Sequence, residues 1–328
     1  MKSIVTGGAG FIGSHLVESL VKKNHKVIVI DNFKIGRKKN LENVKKKIKI
    51  VNSDIRELKK ISKYFKGVDN VYHLAALADI VPSIENPTEY YSTNVTGTLN
   101  VLKASIQNNI KRFIYSASSS CYGIPKKYPT KENSDIRPEY PYALTKRLGE
   151  ELVLHFAKVY KLNATSLRFF NVYGLRARTS GSYGAVFGVF LAQILADKPL
   201  TIVGNGNQKR DFTYVSDIIS AITKVSKKRS LLGEVLNVGS GKTVSVNQIA
   251  KLLGGKKINI PRRPGEPDIT FADISKIKRK TGWIPKISIN HGIKIMLKNI
   301  NDWKDAPIWT PKKINQATKK WFHYLGRK

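Results

Sequence analysis

The chain has 328 residues, enough for one large domain or two smaller ones, and its 41% hydrophobic and 25% charged residues are those of a globular protein with its own core. One cysteine excludes a disulfide framework or a multi-cysteine zinc site, and the longest apolar run, Gly184 to Ala196, is too short and is broken by Gln193, so no transmembrane helix or membrane partner is expected. The formal charge of +35 is carried by 44 lysines and 14 arginines dispersed over every surface-like segment; a nucleic-acid surface calls for clustering and arginine, so no nucleic-acid partner is expected, only a surface that attracts anions.

Met1-Lys2 runs directly into an apolar strand at Ile4 to Thr6, so no secretory leader is expected and the location is expected to be cytoplasmic. A helical pattern follows from about Phe11 to Lys23, then a buried strand at Lys26 to Ile30 and another at Ile48 to Val51. A helical stretch near Glu57 to Phe65, a strand at Asn70 to Leu74 and a long helix over about Thr88 to Asn108 come next. Arg112 to Ser116, a long helix over Tyr142 to Tyr160, and a strand at Thr165 to Phe169 close the series. Continuous Val/Ile runs alternating with helices predict a parallel sheet covered on both faces, a doubly wound α/β fold.

After about Asn171 the alternation weakens and Gly and Pro become more frequent. The expected organisation is a first domain of 1–170 plus about 211–239, and a second, smaller α/β domain of about 171–210 plus 240–301 that binds substrate. A helical tail, 302–328, starts with Thr310-Pro311 as cap and first-turn proline.

Gly7-Gly8-Ala9-Gly10-Phe11-Ile12-Gly13 lies between the first strand and the first helix. Glycine permits a tight turn and a close backbone approach to a pyrophosphate, and the helix N-terminus offers it free N–H groups. Asp31 ends the second strand, where a carboxylate accepts from both ribose hydroxyls of NAD and repels a 2′-phosphate. A Rossmann-type NAD site is therefore expected, with Lys34 and Arg37 close by.

Tyr142 and Lys146 are spaced i, i+4, which places them on one helix face. A nearby ammonium, together with the positive nicotinamide ring, favours the phenolate, so the pair predicts a tyrosine brought towards working pH as a proton acceptor. The serine-rich turn from Ser116 to Ser120 follows the fifth strand and puts hydroxyls at the carboxyl edge of the sheet. Cys121 and the six scattered histidines carry no metal-ligand spacing, and no metal is expected.

Taken together, Gly7–Gly13, Asp31-Asn32, Asp54-Ile55, His73-Leu74-Ala75-Ala76, Asn94, Ser118, Tyr142/Lys146, Arg168-Phe169-Phe170-Asn171, Arg210-Asp211-Phe212 and Arg263-Pro264-Gly265-Glu266 resemble the extended short-chain dehydrogenase/reductase family, and within it the NAD-dependent nucleotide-sugar 4-epimerases. The resemblance covers about residues 1–300. It implies that Gly7, Gly10, Phe11, Ile12, Gly13, Asp31, Asn32, Asp54, Ile55, Leu74, Ala75, Ala76, Asn94, Ser116 and Phe170 hold NAD together with Tyr142 and Lys146. It implies that Asn171, Arg210, Arg263 and Glu266 hold a nucleotide diphosphate, with Thr201, Ile202 and Val203 against a uracil and Thr270 gating sugar size. The implied reaction has Ser118, Tyr142 and Lys146 as its catalytic residues: Tyr142 takes the proton from a sugar 4-hydroxyl while NAD oxidises that carbon, Ser118 steadies the oxygen, and the 4-keto sugar turns over before it is reduced from the other face.

Relatives that remove water or carbon dioxide carry a carboxylate just after the catalytic hydroxyl; here Ser119-Ser120 follow, which disfavours both. Ala78 stands where many glucose/galactose epimerases have a lysine, a departure that resembles the N-acetylhexosamine and uronate branches. UDP-glucose/UDP-galactose or their N-acetylated counterparts are the expected substrates. UDP-glucuronate epimerisation, a dehydratase, decarboxylase or reductase of the same family, and a non-catalytic NAD-sensing protein are the alternatives. The resemblance also implies a homodimer through the two long helices, 88–108 and 142–160.

Overall fold

The computed structural model describes residues 1–177 and 184–326. Residues 178–183, within the segment expected in the second domain, and 327–328, at the end of the tail, lie outside the described residues.

Strands β1 (Lys2–Thr6), β2 (Lys26–Asp31), β3 (Ile48–Asn52), β4 (Asn70–His73), β5 (Arg112–Ser118), β6 (Ala164–Phe169) and β7 (Glu234–Val238) form a parallel sheet in the order β7-β6-β5-β4-β1-β2-β3. Alternate residues along each strand point to opposite faces, and both faces are packed. Val5, Val29, Tyr72, Ile114 and Leu167 meet helices α1 (Phe11–Lys22) and, later in the chain, the helix at Val215–Ser226. Ile4, Ile28, Val71, Phe113 and Tyr115 face the opposite layer, α2 (Gly97–Gln107) and α3 (Pro141–Val159). Each fully buried aliphatic side chain here contributes about 1.5–3 kcal/mol of transfer free energy.

Two expectations about elements are modified. The helix expected over 88–108 is interrupted: it runs as Pro87–Tyr91, a π-helical turn at Ser92–Thr96, and then α2. Ser275–Thr281, inside the 240–301 segment, is a helix whose Ile277 packs with Trp283 into the core against the sheet rather than into the second lobe.

That second lobe has its own core. Phe187, Phe190 and Leu191 from Val186–Leu195 pack with Ile202 of Leu200–Val203, which pairs in parallel with Lys257–Ile260. Ile249, Ile293, Met296, Trp303 and Ile314 complete it. Among the described residues no helix is long and apolar enough to cross a membrane. The strand order reverses between β1 and β4, and the carboxyl ends of the strands open there into a crevice that the second lobe covers.

Candidate active site

The crevice is a cavity of about 680 Å³ lined by both lobes. At one end Gly7 turns the chain from β1 into α1 with φ +69°, and a Cβ there would lie 2.7 Å from the Ala75 backbone nitrogen. A Cβ on Gly13 would lie 2.1 Å from the Gly7 carbonyl oxygen. Both glycines are thus required by close packing of turn, helix and the Leu74–Ala76 loop. No side chain caps α1 at Gly10, so the first-turn N–H groups are available to an anion.

Asp31 is buried at the end of β2; its oxygens accept from Ala9 N and Phe33 N, each at 2.9 Å. Burial raises its pKa and the two backbone bonds oppose this. A carboxylate has about four acceptor sites, so capacity remains for ribose hydroxyls. Gly36 leaves room for them, since a Cβ there would be 2.8 Å from both Asp31 oxygens. Burial works against the charge on Asp54, but Arg56 and Asn32 donate to it and hold its pKa down to about 2. Beside it the Ser53 hydroxyl is buried without a partner, an orphan polar atom in the cavity wall. A glycine cradle at a helix N-terminus, a carboxylate for a ribose and an orphan hydroxyl beside Asp54 fit a dinucleotide. Lys34 lines the same cavity as Asp31 and forms an ion pair with Glu89.

The chemistry-bearing side chains come from β5 and α3. β5 ends at Ser118, whose hydroxyl accepts from Ser120 N at 3.2 Å and Ser120 Oγ at 2.8 Å, closing the 3₁₀ turn Ser119–Tyr122. α3 begins with Pro141 in its first turn, and Tyr142 and Lys146 both line the cavity. Burial raises the Tyr142 phenol, and hydrogen bonding with Ser118 and Ser120 opposes the shift. Burial lowers Lys146 to about 7, against the nearby Glu150 carboxylate. Its Nζ lies 4.4 Å from the centre of the Tyr115 ring. In the ligand-free protein desolvation dominates at both groups and favours the neutral form of each; the expected phenolate draws on the positive nicotinamide ring of bound NAD as well as on Lys146.

At the other end, Asn171, Arg210 and Thr270 are tied together. The Thr270 hydroxyl donates to Asn171 Oδ1 at 2.7 Å, Asp211 N donates to that hydroxyl at 3.2 Å, and Thr270 N donates to the Lys209 carbonyl at 3.0 Å. Asp211 is buried and accepts from Ser240 N at 2.6 Å, Ser240 Oγ at 2.7 Å and Ala272 N at 3.1 Å, which fixes the strand carrying Arg210. Arg263 donates to Glu266 at 2.8 Å, and Arg210 lies 3.8 Å from the same carboxylate. Two guanidiniums around one carboxylate leave net positive charge for a diphosphate.

Most of the expected contact residues line this cavity: Gly7, Gly10, Phe11, Ile12, Gly13, Asp31, Asn32, Asp54, Ile55, Leu74, Ala75, Ala76, Ser116, Ser118, Tyr142, Lys146, Asn171, Thr201, Val203, Arg210, Arg263, Glu266 and Thr270. Three lie behind its wall. Ile202 points into the second lobe's core, because strand alternation turns it away from Thr201 and Val203. Phe170 packs with Cys121, Tyr122 and Ala272. Asn94, on the π turn, is a brace: it accepts from Leu77 N at 2.8 Å and donates to the Leu77 carbonyl and the Thr145 hydroxyl, both at 3.0 Å, joining the Leu74–Ala78 loop to α3.

The sequence reading missed Ser53, Tyr140, Trp309 and Trp321, which also line the cavity. Tyr140 stacks on Tyr142, with ring centroids 6.3 Å apart and planes at 12°; the Tyr-Pro-Tyr spelling was the available signal. Among the described residues no group of three His, Cys, Asp or Glu side chains is placed to hold a metal.

Comparison with known proteins agrees with this architecture. A family model described as "NAD dependent epimerase/dehydratase family" matches residues 3–239. A putative UDP-glucose 4-epimerase of Methanocaldococcus jannaschii is 37% identical over 299 residues, covering 89% of this chain and 95% of that protein. A UDP-N-acetyl-alpha-D-glucosaminuronate decarboxylase of Bacillus cytotoxicus is 33% identical over 312 residues, covering 89% and 95%. The crystal structure of UDP-glucose 4-epimerase with UDP-glucose from Thermotoga maritima superposes with a TM-score of 0.87 at 34% identity, covering 92% of this chain and 99% of that one. With the glycine cradle, the Asp31 carboxylate and the Tyr142/Lys146 pair in one cavity, these matches place the chain in the NAD-dependent epimerase/dehydratase family.

Proposed function

We propose that this protein is a UDP-sugar 4-epimerase that uses bound NAD and interconverts the glucose and galactose configurations of a neutral, optionally N-acetylated, hexose. The observation that carries the reading is the Tyr142 phenol, associated with the Ser118 and Ser120 hydroxyls, in a single cavity with a dinucleotide cradle and a two-arginine anion site.

Gly7, Gly10, Gly13, Asp31 and the Asp54 region would hold NAD, with Lys146 beside its nicotinamide ribose. Bound NAD supplies reversible two-electron oxidation of a sugar carbon. Tyr142 Oη takes the proton of the sugar 4-hydroxyl and later gives it back, and Ser118 Oγ donates to the same oxygen as its charge changes. Arg210 and Arg263 neutralise the diphosphate, with Glu266 accepting from ribose hydroxyls. A tether anchored by charge leaves the 4-keto sugar free to turn over without leaving.

Two features support a neutral sugar and a simple epimerisation. The residues following Ser118 are Ser119 and Ser120, so no carboxylate stands there to remove a second proton. Among the described lining residues Lys34 pairs with Glu89, Arg56 with Asp54, and Arg210 and Arg263 with Glu266, while Lys146 rests on Tyr115. Each of these cations already has a partner for its charge or its face, which favours an uncharged sugar.

The test is incubation of the NAD-loaded protein with UDP-galactose, UDP-N-acetylgalactosamine and UDP-glucuronate separately, followed by proton NMR of the sugar region. Appearance of the C4 epimer of a neutral sugar, with no net consumption of NAD or NADH, is expected. A decarboxylated pentose from UDP-glucuronate as the only product, or stoichiometric use of NADH, overturns the reading.

A further inference from the structure

The tail was the one segment for which the family resemblance offered no role. It starts in the second lobe's core, where Trp303 and Ile314 are buried. The Trp309 carbonyl accepts from Gln193 Nε2 at 2.6 Å, and the same amide donates to the Thr201 hydroxyl at 2.9 Å. The helix Pro311–Leu325 is capped by Thr310, whose hydroxyl accepts from Lys313 N at 3.3 Å. It packs against the helix Ile80–Glu85 of the sheet lobe, next to the cavity-lining Ala78–Ile80. At its far end the Trp321 indole N–H donates to the Pro264 carbonyl at 2.8 Å, and the Arg263 guanidinium lies 5.5 Å from the Trp321 ring centre. Trp309 and Trp321 both face the cavity. The tail is therefore a strap that touches both lobes and ends on the loop carrying Arg263 and Glu266.

We propose that this strap is the outer wall of the nucleotide end of the site and that Trp321 is a positioning residue for Arg263; this rests on the reading that the ligand is a nucleotide sugar. The physical reason lies in the difference between the two neighbours of Arg263. Glu266 holds the guanidinium by neutralising it, which opposes diphosphate binding. The Trp321 face orients the same group and leaves its full charge available, and the indole N–H fixes the backbone of the loop. The arrangement pre-orders a cation that an unbraced surface loop would have to order on binding.

The test is calorimetric titration of UDP into the NAD-loaded protein, with steady-state kinetics on the turned-over UDP-sugar, for wild type, Trp321→Leu and Trp321→Phe. Leucine keeps an apolar side chain but removes the π face and the N–H; phenylalanine restores the face alone. Loss of a desolvated cation–π contact is worth about tenfold in affinity. Trp321→Leu is expected to bind UDP about tenfold more weakly and raise KM to match, with kcat within twofold and NAD content unchanged, while Trp321→Phe stays within threefold of wild type. Leucine and phenylalanine variants that both bind as wild type, or that lose affinity equally, overturn the proposal. Should Trp321→Leu not stay folded, Trp321→Met takes its place, and the same comparison with Trp321→Phe decides. Wild-type protein that binds no UDP overturns the functional reading itself and this inference with it.

Discussion

Tyr142 and Lys146 share one face of α3, yet burial drives their pKa values apart: desolvation favours the neutral form of each, raising the phenol and lowering the ammonium to about 7. Below pH 7 the Lys146 group is charged in both states. Between pH 7 and about 10 an unfolded lysine still holds a proton that the folded one has lost, so stability from this group rises with pH. The melting temperature of the ligand-free wild type relative to Lys146→Met should therefore increase from pH 7 to pH 10; a pH-independent difference would show that Lys146 is not desolvated. Thr270 supplies the second residue-scale test. Its hydroxyl is held by Asn171 and by Asp211 N, and this small side chain lines the cavity. Thr270→Tyr fills that space and should reduce turnover of the N-acetylated sugar at least about tenfold more than that of the plain hexose, the scale of a steric mismatch in a pocket. Equal losses on both sugars would refute the gating role.

The glycine turn between β1 and α1 is the element whose geometry tolerates least. Gly13→Ala sets a methyl 2.1 Å from the Gly7 carbonyl oxygen, backbone against backbone. It should cost about 1–3 kcal/mol of stability, read from denaturant unfolding, and weaken NAD binding by at least about tenfold; an alanine variant that retains NAD as wild type does would mean the turn does not cradle it. This element was legible in the sequence because glycine spacing, strand and helix all sit within a dozen residues. The same holds for the parallel sheet, whose unbroken Val/Ile runs permit little else. Other elements were less legible for physical reasons. The resemblance implies Thr201, Ile202 and Val203 as one contact patch, but the two-residue period of a strand presents only the first and third. Asn94 was expected to touch cofactor, but the π turn aims it at Leu77 and Thr145. Trp321 finds its partners Arg263 and Pro264 some sixty residues upstream, a pairing that local pattern cannot express.

At the scale of the whole molecule the large positive charge and the cavity are separate matters. The described lining residues include Asp31, Asp54, Asp79, Glu89 and Glu266 on one side of the balance and Lys34, Arg56, Lys146, Arg210 and Arg263 on the other. These described lining charges balance while the chain carries +35, so most of the excess lies elsewhere, where on the proposed function it would draw an anionic substrate in without gripping it. On the proposed function, selectivity rests on the two lobes meeting over the carboxyl ends of β1, β4 and β5, one for the dinucleotide and the other for the second nucleotide. Joining these halves is the phenol of Tyr142, and the most direct measurement replaces it. Proton NMR of UDP-galactose incubated with NAD-loaded wild type and Tyr142→Phe should show UDP-glucose forming with the first and a rate lower by about 10²–10⁴-fold with the second, at unchanged affinity for UDP. Undiminished epimerisation by Tyr142→Phe would contradict the account.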